Sequence, residues 1–116
     1  MLSKFVFQFV YEPREKNMAA YSVVRFRAKL DQEEAFRTTF LGLDRHFEGL
    51  RRFVLIKTGD RSYCSIGEWD SYDHLAACRP RMIANLDQFR HTLEEVGEGV
   101  TDAVSGESIY EQVFKG

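Results

Sequence analysis

Trp69 is the only tryptophan of the chain, and it closes the run Gly59-Asp60-Arg61-Ser62-Tyr63-Cys64-Ser65-Ile66-Gly67-Glu68-Trp69. An indole there can stack a flat substrate, or steady an anion or radical through its N–H. Tyr72 and His74 follow within the next few residues. An imidazole, with an ordinary pKa of about 6.5, can accept a phenol proton near neutral pH. Trp69 and His74 are therefore the candidate catalytic residues; the alternatives are a packing anchor for the indole and a solvated surface position for the imidazole. His46 and His91 lie far from His74 in sequence, and Cys64 and Cys78 lack metal-type spacing, so no metal is expected and both thiols should be reduced. There is no nucleophile motif, phosphate loop or pair of catalytic acids, and Gly42 and Gly106 match no glycine signature.

The elements that must position these residues can be read from periodicity. Tyr21 to Ala28 alternates as a strand, with Val24, Phe26 and Ala28 on one side and Val23, Arg25 and Arg27 on the other. The two arginines need partners such as Glu111 if they are covered. Asp31 with Glu34 has the form of a capping box, and Leu30 with Ala35 that of a hydrophobic staple. Phe36, Phe40, Leu43 and Phe47 then form one helical stripe, which Gly49 should stop. Leu50 to Thr58 reads as a buried strand. Gly59-Asp60 should supply the positive φ angles of a hairpin leading into Ser62 to Trp69. Asp70 or Ser71 can cap a second helical region from about Ser71 to Val96, with a bend or fresh start at Pro80. Glu107 to Phe114 alternates as a last strand.

Strand–helix–strand–strand–helix–strand is the ferredoxin-like order, an α+β fold with an antiparallel sheet and helices on one face. A second sheet face left bare asks for cover, and a second copy of the chain is the economical source, so a homodimer is expected. Phe5, Phe7, Phe9 and Tyr11 alternate with Val6, Gln8 and Val10, so residues 1–17 are expected to be an extra edge strand or an arm ahead of the domain at 18–116.

Bulk numbers narrow the function classes. A chain of 116 residues with 44% hydrophobic and 29% charged residues is one ordinary globular domain. Net charge of −2 and a pI of about 5.9 give no basic footprint for nucleic acid. No apolar run approaches the roughly 18 residues of a membrane span, and Glu12-Pro13-Arg14 stands where a signal peptide would need small residues, so a cytoplasmic protein is expected. Ten Phe, five Tyr and one Trp exceed what such a core requires, and rings of that kind also line pockets for flat apolar ligands.

In element order, in Phe36 after Leu30-Asp31-Gln32-Glu33-Glu34, in Gly59-Asp60 before a strand ending Glu68-Trp69, and in Glu107-Ser108-Ile109-Tyr110, the chain resembles the antibiotic-biosynthesis-monooxygenase-like family of the dimeric α/β-barrel group. The resemblance covers about residues 21–114. It implies a dimeric α/β barrel and, for the cofactor-free members, oxygenation of phenolic polycycles without metal or flavin. The family's strand-end tryptophan corresponds to Trp69. The haem-degrading branch uses an asparagine on the first strand and a histidine about ten residues beyond the tryptophan; this chain has Val23, Val24, Arg25, Phe26 and Arg27 on that strand and Arg79 ten residues past Trp69, which argues against haem degradation. Ser65 stands where the quinone-forming branch has an asparagine.

Two functions follow as expectations. One is a small homodimeric cofactor-independent monooxygenase acting on an aromatic or apolar small molecule, with Phe36, Phe40, Tyr63 and Tyr72 contacting substrate around Trp69. The other is a non-catalytic dimeric module that binds a ligand or a partner. A closed, Phe-filled interior would favour the module, and a cavity touching Trp69 the enzyme.

Overall fold

The computed structural model describes residues 18–115, so the alternating segment 5–11 lies outside the described residues. The order is β1 (Ala20–Arg27), α1 (Glu33–Leu41), β2 (Leu50–Gly59), β3 (Ser62–Trp69), α2 (Tyr72–Phe89), a 3-10 turn (Arg90–Thr92) and β4 (Asp102–Glu107). The four strands form one antiparallel sheet in the order β2-β3-β1-β4, the ferredoxin-like arrangement expected from the element order.

Alternation divides the sheet into two faces. Ala20, Ser22, Val24 and Phe26 of β1 stand opposite Trp69, Gly67, Ser65 and Tyr63 of β3, and this face receives the helices. Phe26 and Tyr63 are buried with Phe36 and Phe40 of α1 and Phe89 of α2. Their rings meet at 4.9–5.9 Å between centroids, mostly tilted or edge-on, the geometry that aromatic quadrupoles favour. A second cluster gathers Ala20, Phe47, Trp69, Leu75 and Cys78 at the other end of the sheet. On the opposite face Val54, Ile66, Val23 and Val104 are successive register partners, a row of β-branched side chains across all four strands.

Several local expectations are corrected. Asp31 is not the N-cap: it takes φ +69°, a left-handed angle that Asp tolerates, and α1 starts one residue later behind Gln32 with no side-chain cap. Phe47 is not on α1. That helix stops at Leu41, and Arg45 folds back to donate to the carbonyls of Phe40 (2.9 Å) and Leu43 (3.4 Å). Gly49 therefore ends a loop, not a helix. In the hairpin, the positive φ falls on Arg61 (+56°), not on Gly59 or Asp60. Arg61 is held there by its own side chain, which donates to Ala28 O (2.7 Å) and to Glu94 (3.1 Å).

Pro80 does not break α2, which runs on from Tyr72 to Phe89. Pro80 and Ala76 are both exposed, so the carbonyl that loses its helical partner can bond water instead. The helix ends before Val96, because Leu93 leaves it to bridge Ala28. The last strand is Asp102–Glu107 and not 107–114. Glu107 pairs with Ala20, where β1 begins, and Ser108 N–H donates to Ala19 O as the last rung among the described residues. Arg27 pairs with Glu94 (3.1 Å), whereas Glu111 accepts from the backbone of Ala19 (3.2 Å). Both cysteines are free and buried.

Gly49 has φ +87°, and a Cβ there would lie 2.4–2.6 Å from the His74 side chain. Gly49→Ala is expected to cost about 2–3 kcal/mol in urea unfolding, part backbone strain and part clash. In a His74→Gly background only the strain remains, so the added cost should fall to about 1 kcal/mol.

Candidate functional site

A cavity of about 410 Å³ opens between the helix-bearing face of the sheet and α2. Its floor crosses all four strands: Phe53 on β2, Ser65 and Trp69 on β3, Ser22 and Val24 on β1, Ala103 and Ser105 on β4. Leu75, Arg79, Met82 and Leu86 form its roof. They are one stripe of α2, spaced four, three and four residues apart. Phe47 and Arg45 close it from the loop before β2. The wall is largely apolar, with a few hydroxyls and two guanidinium groups.

Trp69 is 1% exposed. Its ring stacks on Phe47 at 6.2 Å with the planes 7° apart, and its Nε1–H donates to Ser22 Oγ at 3.1 Å. Gly67 makes that bond possible: a Cβ there would sit 2.8 Å from Ser22 Oγ and 3.0 Å from Trp69 Nε1. The indole is thus both a packing anchor and part of the cavity wall, with its donor already used inside the fold.

The other sequence candidates divide. Phe36 and Phe40 are buried in the aromatic cluster around Phe26, and neither lines the cavity. Tyr63 joins them, its hydroxyl donating to the Glu33 carboxylate, which also lies 3.0 Å from Lys57 Nζ. Burial and Glu33 push the Tyr63 phenol up to about 12, so it stays protonated at neutral pH. His74 lies outside the lining, at the start of α2. Its backbone N–H donates to Ser71 Oγ (3.2 Å), the ring Nδ1 lies 2.7 Å from the same oxygen, and the ring packs on Gly49. Ser71 is thus the N-cap, one of the two expected.

Tyr72 stands at the rim. Its oxygen accepts from Arg79 Nη2 at 2.8 Å, and the same nitrogen donates to Ser105 Oγ at 2.9 Å, tying α2 to the edge strand β4. That donation, together with the nearby positive charge, lowers the Tyr72 phenol from its ordinary value. Arg79, Arg45 and Ser22 were not among the sequence candidates. A signal for Arg79 was present: it is a cation within the apolar stripe Leu75-Met82-Leu86. Ser22 had none, because only strand register brings it to Trp69.

Arg45 places its guanidinium carbon over the rings of Phe40 (4.2 Å) and Phe53 (4.5 Å), and burial lowers its pKa from the ordinary value. The described lining residues include no Asp, Glu, His, Lys, Cys or Tyr. The arrangement can therefore hold an apolar body and attract negative charge, and among the described residues it offers no side chain to take a proton. No group of three or more His, Cys, Asp or Glu that could hold a metal occurs among the described residues, and no described helix is long and apolar enough to cross a membrane.

No protein-family model matches the sequence, and no curated protein matches it. Solved structures do. A protein of unknown function from Nitrosomonas europaea is 19% identical at TM-score 0.64, covering 87% of this chain and 99% of that one. A candidate antibiotic biosynthesis monooxygenase from Deinococcus radiodurans is 11% identical at TM-score 0.67, covering 84% and 99%. A dimeric ferredoxin-like protein from an uncultured marine organism is 14% identical at TM-score 0.65, covering 86% and 96%. Across nearly the whole length of these proteins, the chain shares their ferredoxin-like fold.

Proposed function

We propose that the protein is a homodimeric small-molecule oxygenase whose cavity binds an aromatic, largely apolar substrate carrying an acidic oxygen. The observation that carries this reading is the 410 Å³ cavity, walled by Trp69, Phe53 and the apolar stripe of α2, with guanidinium groups as its only charges among the described residues. The candidate antibiotic biosynthesis monooxygenases that share the fold are consistent with it. No cofactor is required if dioxygen reacts directly with an electron-rich anion. The anion gives one electron to dioxygen, and the resulting radical and superoxide join as a peroxide. Loss of water then leaves a carbonyl where a CH₂ stood, one oxygen atom going to product and one to water.

The protein's part is to exclude water, hold the ring against Trp69 and keep the substrate ionised by the field of Arg79. With no base in the described lining, the substrate must ionise on entry. That same observation favours a second reading, in which the pocket binds the anion and leaves it unchanged.

Ser65 tests both readings, since it is a small buried side chain in the cavity floor. Ser65→Leu should fill part of the cavity and raise stability by about 1 kcal/mol, roughly 4 °C in Tm. It should also abolish binding of 1,8-dihydroxyanthrone, read by quenching of Trp69. For the wild type, oxygen uptake equal to the anthraquinone formed supports oxygenation. Quenching without oxygen uptake supports binding alone, and no quenching at all defeats the pocket.

A further inference from the structure

We propose that Arg79 is the specificity-determining residue of the cavity, pairing with the acidic oxygen of an otherwise apolar ligand; this rests on the binding role proposed above for the same cavity. Among the described residues two cations line the cavity, and their circumstances differ. The guanidinium of Arg45 is spent on the fold, bonded to the carbonyls of Phe40 and Leu43 and set over the rings of Phe40 and Phe53. Arg79 bonds only hydroxyls among the described residues: one nitrogen, Nη2, serves both Tyr72 and Ser105, the guanidinium carbon lies 5.4 Å from the centre of the Tyr72 ring, and no carboxylate pairs with the charge. Arg61, by contrast, has Glu94 (3.1 Å), and Arg51 has Asp70 (2.6 Å) and Glu68 (3.4 Å).

Position gives the uncompensated charge a use. Arg79 extends from the roof stripe of α2 toward β4, and Tyr72 and Ser105 fix it from both sides at the rim. The planar fork can receive a carboxylate, sulfonate or phenolate while one nitrogen stays tethered. Deeper in, Val24, Phe53, Leu75, Met82 and Leu86 take the apolar body. The ligand class is therefore an aromatic acid entering ring first, its anionic oxygen left at the β4 edge. Because Arg79 is exposed, the pairing is screened by salt.

The test uses two fluorescent probes of one skeleton: 1-anilinonaphthalene-8-sulfonate, an anion, and N-phenyl-1-naphthylamine, its neutral parent. The wild type is expected to bind the sulfonate about ten-fold more tightly than the parent at low ionic strength, a single charge-assisted contact. Arg79→Gln should erase that preference by weakening the sulfonate alone, and Arg79→Lys should keep part of it. Ser65→Leu should remove both probes, which ties them to this cavity. If Arg79→Gln leaves the affinity ratio unchanged while Ser65→Leu blocks both probes, the Arg79 pairing is overturned and the cavity stands. If neither probe binds, or Ser65→Leu displaces neither, the cavity reading falls and the pairing with it.

Discussion

Trp69→Ala is expected to destabilise the protein by about 3–5 kcal/mol, the cost of removing a fully buried aromatic ring. The indole is the largest fully buried side chain, and its loss empties the space between Phe47, Leu75 and the sheet. Trp69→Phe keeps a ring on Phe47 but leaves Ser22 Oγ without its donor. Volume loss and the broken bond together should cost about 1–2 kcal/mol. Ser22→Ala strands the indole N–H instead, at about 1 kcal/mol. In the Trp69→Phe background Ser22→Ala should then be nearly free, since donor and acceptor are gone together. Chemical unfolding followed by circular dichroism measures all four proteins. Single-mutant costs that simply add would show that the 3.1 Å bond contributes nothing.

The outcome also separates the two roles of the tryptophan. If the ring is a wall for the ligand and not a donor to it, Trp69→Phe should change binding of the neutral naphthylamine by no more than about two-fold, because an aromatic ring still faces the ligand. A much larger loss at preserved stability would mean that the indole N–H leaves Ser22 to bond the ligand.

The elements legible in the sequence were those whose signal is local. Phe36 and Phe40, four residues apart, marked α1 correctly, and the alternation of Tyr63 to Trp69 marked β3. What failed depends on distant partners. Asp31-Gln32-Glu33-Glu34 carries a capping signal, yet the turn after Ala28 carries Asp31 into a left-handed angle, and that turn follows the Ala28–Leu93 bridge. Glu107 to Phe114 alternates well enough to be a strand, but the described ladder with β1 ends at the pair Ala20–Glu107, a limit set by register and not by the pattern of residues 107–114. The site divides the same way. Trp69 was legible as a lone indole at a strand end. Ser22 and Ser105 reach the cavity only through the register Ser22–Gly67 and Ser22–Ser105, which no periodicity announces. His74 drew notice by residue type, and its contacts with Ser71 and Gly49 give it a packing role in this fold.

Ile66→Glu is expected to convert the proposed dimer into monomers. Ile66 lies between Val54 and Val23 in the row that ends at Val104, on the face turned away from α1 and α2. Val104 is 65% and Ile56 46% exposed, more apolar surface than a sheet face in water normally shows. Pairing two such faces across a twofold axis places Ile66 near the centre of the contact, and each Å² of apolar surface covered contributes roughly 25 cal/mol. A carboxylate there must either lose water or hold the faces apart, which costs several kcal/mol when no partner charge meets it. Light scattering at micromolar concentration should give about twice the chain mass of 13.5 kDa for the wild type and the single-chain mass for Ile66→Glu, with unchanged far-ultraviolet dichroism. A wild type that scatters as a monomer overturns the dimer. The cavity lies mainly on the other side of the sheet, reaching the edge strand at Val104, and its described lining comes from one chain. Monomeric Ile66→Glu should therefore still take one naphthylamine per chain, at an affinity within about two-fold of the dimer if the two sites are independent. Loss of binding together with loss of the dimer would mean that the partner subunit helps to build the pocket.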